Sequence, residues 1–163
     1  MVSTEHLTHP IEPLFDRESR ILILGSFPSV KSREVSFYYA NPTNRFWPVL
    51  AAVYGEEIED RAAFCHRHHI ALWDVIASCD IHASDDSSIR NVTCNNIPAL
   101  IEKTKVQRIF TTGRKAWNLF AKYIQTEIPA ESLPSTSSAN AALKFDDLCR
   151  MYAVIRRYTD ETD

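Results

Sequence analysis

The chain has 163 residues, of which 45% are hydrophobic and 24% charged, with a net charge of -3 at pH 7. These values exclude disordered, collagenous and fibrous classes and fit one globular domain over residues 1–163, long enough to bury a core without staples. With a pI of about 6.1, the chain as a whole offers a nucleic acid no attraction, so such a partner must be met by a local patch.

Residues 1–19 carry Pro10 and Pro13 in a mixed-polarity stretch and read as an extended N-terminal arm. The first residues, Met1-Val-Ser-Thr-Glu-His-Leu7, have neither the basic start nor the apolar run of a secretory leader. The longest apolar runs are strand-sized, so no membrane span is expected and the cytoplasm is the expected compartment. Ile21-Leu-Ile-Leu24, bounded by Gly25 and Pro28, reads as a buried strand of a parallel sheet. Residues 25–43 read as a long loop, a feature that in a compact domain usually carries function. Phe46, Val49, Leu50 and Val53 recur at helical spacing. Pro48 is tolerable only in a first turn, so this helix starts near Thr43 or Asn44 and stops at Gly55.

Residues 59–68 predict a second helix and residues 70–76 a second buried strand. Residues 77–95 are polar and read as a loop. Residues 96–103 predict a short helix capped by Asn95 or Asn96, with Pro98 in its first turn. A third strand (106–111), a helix (114–124) and a weaker fourth strand (128–133) follow. Leu148, Met151, Tyr152 and Ile155 then mark an amphipathic closing helix. Strands alternating with helices imply an α/β fold with a parallel sheet and helices on both faces. Ligands of such sheets bind beyond the C-terminal strand ends, which points to Gly25-Ser-Phe-Pro-Ser29 and Leu133-Pro-Ser-Thr-Ser-Ser-Ala-Asn140.

The loop before and into the first long helix mixes Phe37, Tyr38, Tyr39, Phe46 and Trp47 with Asn41, Asn44, Lys31, Arg33 and Arg45. Aromatic faces beside amides and cations suit a nucleobase, the ring stacking on the base while the amide reads its edge. The helical spacing of Phe46 and Trp47 favours core residues; Tyr39, in irregular chain, favours function. Lys31, Arg33 and Arg45 give this region a local positive balance suited to phosphates. Pro134, Ser135, Thr136 and Ser137 offer hydroxyls and backbone amides that can grip a phosphate without charge, or cap a helix.

Several other features carry less. His66, His68 and His69 have no carboxylate or thiol at standard metal spacing and read as a solvated helix end. Asp85 and Asp86 read as a turn or cap. Asp74, after strand residue Trp73, either points into a site or satisfies loop amides. Cys65, Cys79, Cys94 and Cys149 form no C-x-x-C pair and read as reduced, packed thiols. Phosphate-loop, dinucleotide-binding and nucleophile-elbow motifs do not occur.

Three segments taken together, Gly25-Ser-Phe-Pro-Ser29, Phe37-Tyr-Tyr-Ala-Asn-Pro-Thr-Asn-Arg-Phe-Trp47 and Leu133-Pro-Ser-Thr-Ser137 with Ala139-Asn140, resemble the DNA-deoxyinosine (hypoxanthine-DNA) glycosylases, a branch of the uracil-DNA glycosylase superfamily. The resemblance runs from about Pro10 to the last helix. It implies a three-layer α/β/α domain with a short, four-stranded parallel sheet, and a monofunctional, cofactor-free and metal-free repair enzyme that flips a deaminated base out of DNA and hydrolyses its glycosidic bond. A related mismatch-specific branch positions water with an Asn that would fall on Phe27, which cannot do so. The hypoxanthine branch is similarly apolar there and is thought to use the Asn that matches Asn44. Tyr39 matches the ring that stacks on the flipped base, and Gly25, Ser26, Phe27 and Phe46 complete the expected base site. Asn41 stands where relatives often carry His, and Ser138 where they often carry Pro. The expected partner is DNA containing a deaminated base, met by a monomer. Uracil or mismatch-specific glycosylase activity, and a non-catalytic DNA-binding module, are the rival readings.

Overall fold

The computed structural model describes residues 4–82 and 85–160, the side chain of Asp86 excepted. Strand β1 (Glu5–Thr8) lies in the N-terminal arm. Strand β2 (Ile21–Gly25) is buried along its whole length. It sits between β3 (Ile70–Asp74) and β6 (Arg108–Thr112), with β7 (Ala130–Leu133) beyond β6; all four run parallel. Side chains alternate across a strand. Ile21, Ile23, Ile70, Leu72 and Phe110 therefore face one layer, built largely by α2 (Phe46–Tyr54), α3 (Arg61–Arg67) and α6 (Phe145–Tyr152). Leu22, Leu24, Ala71 and Ile109 face the other, where α4 (Ile97–Glu102) and α5 (Arg114–Tyr123) pack. Each fully buried large aliphatic or aromatic side chain contributes about 1.5–3 kcal/mol. A sheet apolar on both faces is stable only with both faces covered. The expected α/β/α sandwich and its four-stranded parallel sheet are present.

Local signals set the helix ends. The Asp60 side chain accepts from the Ala63 amide and that of Asn96 from the Ala99 amide. Pro98 occupies the first turn of α4, and Gly55 ends α2 at φ 66°. After α6 the chain passes through a 3-10 turn into α7 (Arg156–Thr159).

Two segments differ from the sequence expectation. The stretch read as a polar loop contains β4 (Ile76–His82) and β5 (Asp85–Cys94), which pair antiparallel and form a second, three-stranded sheet with β1. Register shifts at Ile76/Ser78, Ser78/Asp80 and Asp80/His82 break the period of two, so the inward residues Ile76, Cys79 and Ile81 fall at irregular spacing. The loop 25–43 contains a six-residue helix, α1 (Val30–Val35), capped by the Ser29 hydroxyl and closed by Ser36 in the left-handed region. The arm is tied down by β1 and by the backbone pair Leu14–Leu72 on β3. All four cysteines are free thiols, with Cys65 and Cys79 buried. No described helix is long and apolar enough to cross a membrane.

Candidate active site

The C-terminal ends of the parallel strands converge on one cleft of about 210 Å3. That is below the roughly 300–1,000 Å3 of drug-sized ligand sites and suits a single base. Gly25 ends β2, Asp74 ends β3, Thr112 ends β6, and residues 135–138 follow β7; all of them line the cleft. Gly25 is there for lack of a side chain: a Cβ on it would stand 2.5 Å from Asp74 Oδ1 and 3.4 Å from the Tyr39 hydroxyl.

Asn44 lies on the cleft wall just ahead of α2. Its Oδ1 accepts from the Phe46 amide at 2.9 Å and from the Thr136 hydroxyl at 2.8 Å. The Phe46 N–H can only donate, so it fixes which amide atom is oxygen. Both lone pairs of Oδ1 are then engaged, and Nδ2 is the edge left for a ligand, a donor edge only. Thr136 itself is buried (2% exposed), and its carbonyl accepts from the Arg45 amide at 2.9 Å. The first and last motifs thus meet through Asn44 and Thr136.

Tyr39 adopts φ 51°, a conformation that costs a non-glycine residue energy and persists where the surroundings impose it. Its ring stacks on Phe46 at 3.8 Å between centroids and 10° between planes, and its hydroxyl is 3.1 Å from Thr112 Oγ1. Burial, and then the nearby charge of Asp74, push the Tyr39 phenol above its ordinary range. The same causes raise Tyr38, whose hydroxyl donates to the Glu12 carbonyl. Tyr39 lines the cleft; Phe46, fully buried, does not and instead backs Tyr39. Ser26 and Phe27 line the cleft beside Gly25.

The basic residues divide. Lys31 is exposed, 4.0 Å from Glu34. Arg33 donates to the Pro28 carbonyl and lies over the Phe27 ring. Arg45 turns inward: its guanidinium donates to the carbonyls of Leu143, Ser137 and Asn140 at 2.7, 2.9 and 2.9 Å. It therefore shapes the loop after β7. In that loop the Pro134 carbonyl accepts from the Tyr152 hydroxyl, the Ser135 hydroxyl accepts from the Ser137 amide, and the Ser137 hydroxyl from the Ala139 amide. Ser135, Thr136, Ser137 and Ser138 all face the cleft. The positions Asn41 and Ser138 are linked: Asn41 Oδ1 accepts from the Thr43 hydroxyl, which is 3.1 Å from the Ser138 hydroxyl.

The histidines at the end of α3 form no metal site. His66 pairs with Asp16 and His68 with Glu56, and no group of three potential ligands occurs among the described residues. Asp85 accepts from the Ser87 amide and hydroxyl, as a turn residue does; the side chain of Asp86 lies outside the described residues. Sequence reasoning missed His9 altogether. It comes from the arm to contact Asp74, which lines the cleft, at 2.7 Å, a pairing across 65 positions for which no local signal exists.

The family model of the uracil DNA glycosylase superfamily matches residues 12–155. The chain belongs to the uracil DNA glycosylase superfamily. Within it, the chain is 34% identical over 133 residues to a hypoxanthine DNA glycosylase from Methanosarcina acetivorans, covering 78% of this chain and 84% of that one. It is 29% identical over 110 residues to a hypoxanthine DNA glycosylase from Methanosarcina barkeri, covering 64% and 70%. A protein from Methanosarcina acetivorans, solved by solution NMR and described as a candidate uracil DNA glycosylase, superposes with a TM-score of 0.78 at 30% identity, covering 91% of this chain and 96% of that one. The resemblance carried by the three motifs is thereby borne out, and with it the superfamily fold.

Proposed function

We propose that this chain is a monofunctional DNA glycosylase that flips a deaminated base out of DNA and releases it, with hypoxanthine in deoxyinosine as its substrate. The observation that carries the reading is Asn44: a buried-edged amide with its oxygen locked by Phe46 and Thr136 and its donor edge left for the cleft. Similarity to relatives named hypoxanthine DNA glycosylases supports the choice of base.

Cleavage of the glycosidic bond builds positive charge on the sugar and negative charge on the departing base. Asn44 is neutral and, with Oδ1 engaged, cannot take a proton from water. Its Nδ2 donates to the base as charge develops there, the kind of fixed donor that lowers a barrier without reorganising. The face of Tyr39 opposite Phe46 stacks on the base, and Phe27 gives the floor apolar surface. The Thr136 hydroxyl is given to Asn44, so the phosphate beside the flipped nucleotide falls to the hydroxyls of Ser135 and Ser137, with Lys31 and Arg33 adding charge nearby. A mispaired base costs less to extract than a paired one, which adds selectivity. None of the described residues lining the cleft is a lysine, in keeping with hydrolysis rather than Schiff-base lyase chemistry. The protein acts as a monomer, and the cytoplasm is its compartment.

Single-turnover release of hypoxanthine from a deoxyinosine duplex tests this. The wild type leaves an abasic site, and folded Asn44→Ala slows release by roughly 10²–10³, the cost of one transition-state donor. Asn44→Asp keeps the acceptor for Phe46 and Thr136 but loses the donor edge, and is expected to be as slow. A wild-type rate in Asn44→Asp would assign Asn44 to water activation instead.

A further inference from the structure

Behind the loop that follows β7 lies a cation with no anion beside it. Arg45 stands directly before α2, and its amide donates to the Thr136 carbonyl at 2.9 Å. Its guanidinium is spent on three carbonyls of that loop: Nη1 donates to Leu143 at 2.7 Å, and Nη2 to Ser137 and Asn140, each at 2.9 Å. Nε is buried with no hydrogen-bond partner, and no carboxylate pairs with the group among the described residues. A desolvated charge answered only by dipoles is costly to hold, and the cost falls when an anion comes close.

The three carbonyls also set which way the loop faces. A trans peptide unit points its C=O and its N–H in opposite directions. Drawing the carbonyls of Ser137, Asn140 and Leu143 onto one guanidinium therefore turns the N–H groups of Ser138, Ala141 and Lys144 away from it. That of Lys144 donates to Asp147 Oδ2 at the start of α6. Ser138 lines the cleft beside Ser135 and Ser137. The hydroxyls of Ser135 and Ser137 accept from the Ser137 and Ala139 amides, which leaves each hydroxyl its own proton to donate. The loop thus turns donors to the cleft and acceptors to Arg45. A carbonyl bonded to a cation polarises its peptide, so the N–H at the far end becomes a stronger donor.

A phosphodiester gripped by this loop brings a negative charge, and the cleft wall carries no cation to answer it. No lysine or arginine lines the cleft among the described residues, and the chain as a whole has a net charge of -3. Lys31 sits beside Glu34, and Arg33 is turned to the Pro28 carbonyl and the Phe27 ring. Resting on the phosphate grip of the glycosylase reading above, we propose that Arg45 is the positioning residue of the loop after β7 and supplies, from behind it, the positive charge that answers the phosphate of the flipped nucleotide. The charge acts without contact, since Arg45 is not part of the cleft lining and the loop's own peptides take up its donors. Geometry and charge can be separated: gathering three carbonyls needs the planar fork of a guanidinium, whereas a lysine carries the charge alone.

Salt counts the charge. Each phosphate neutralised on binding contributes about 0.9 to the slope of log affinity against log salt. The test measures equilibrium affinities from low to moderate salt for a duplex carrying non-cleavable 2′-fluoro-deoxyinosine, with the two phosphates flanking the lesion native or replaced in turn by uncharged methylphosphonate. In the wild type, replacing the gripped phosphate is expected to lower the slope by about 0.9. Arg45→Gln keeps an amide donor without the charge and is expected to lose that difference. Arg45→Lys is expected to keep it while binding more weakly, because the loop is no longer gathered. An Arg45→Gln variant that binds more weakly yet keeps the wild-type difference makes Arg45 a structural link only and overturns the proposal. If Arg45→Gln does not fold, the surface variant Lys31→Gln/Arg33→Gln decides: it is expected to keep the full methylphosphonate difference, and losing it would put the answering charge on those two residues and overturn the proposal. A wild type that shows no difference at either phosphate overturns it as well. Hypoxanthine release from the cleavable duplex is followed beside these titrations; its absence in the wild type overturns the glycosylase reading, whereas the slopes report on Arg45 separately.

Discussion

The Thr136 hydroxyl donates to Asn44 Oδ1 at 2.8 Å, joining residues 92 positions apart and holding the amide with its donor edge toward the cleft. Thr136→Val removes the donor and keeps the shape. Base release is expected to fall roughly 3- to 10-fold, the value of one neutral hydrogen bond, with Tm little changed, and Thr136→Ser to restore it. Unchanged single-turnover rates in the valine variant would show that the Phe46 amide alone aligns Asn44.

Tyr39 contributes a face, and its hydroxyl contributes less. Phe46 covers one side of the ring at 3.8 Å. Tyr39→Phe loses the contact with Thr112 but keeps the stacking surface, and is expected to retain most activity. Tyr39→Leu forfeits about 1–3 kcal/mol of base stacking. Rates normalised to folded protein, measured beside Tm, separate the outcomes: a leucine variant that melts lower yet releases base at the wild-type rate would make Tyr39 a core residue only.

Gly25 has no room for a side chain. A Cβ would meet Asp74 Oδ1 at 2.5 Å, so Gly25→Ala must displace the carboxylate from His9. The expected cost is about 1–3 kcal/mol of stability, as for other overpacked sites, together with a loss of inosine-DNA affinity. Denaturant midpoints and equilibrium binding on the same preparation measure both; an alanine variant with wild-type values would show that the Asp74 side chain can move freely.

Burial pushes the Cys65 thiol up from its usual 9.0 to about 12. The folded state therefore holds this proton more tightly than the unfolded chain does. Its contribution to stability is complete below about pH 9 and is lost as pH rises through about 12. Denaturation midpoints followed across that alkaline window are expected to fall less steeply in Cys65→Ala than in the wild type. Equal slopes would mean that other groups, such as the raised phenols of Tyr38, Tyr39 and Tyr54, carry the whole alkaline loss.

The parallel sheet was legible because Ile21-Leu-Ile-Leu24 and Ile70-Ala-Leu72 are buried on both faces and so appear as unbroken apolar runs. The antiparallel sheet was not, because bulges along β4 and β5 destroy the alternation that identifies a half-buried strand. The motifs placed Asn44, Tyr39 and Thr136 in one site, which the cleft brings together. Arg45 illustrates the limit of reading charge from sequence: it stands among aromatic and amide residues like a phosphate ligand, yet its guanidinium is taken up by three loop carbonyls. His9 and Asp74 could not be paired from sequence, since the arm reaches β3 only through the folded arrangement of β1 and Leu14.

The most direct measurement is the release of free base by excess wild-type protein from matched duplexes carrying deoxyinosine, deoxyuridine or undamaged deoxyadenosine. Hypoxanthine is expected to be released fastest, uracil more slowly and adenine not measurably. Uracil released faster than hypoxanthine, or binding to all three duplexes without release of any base, would contradict the assignment of this cleft to hypoxanthine excision.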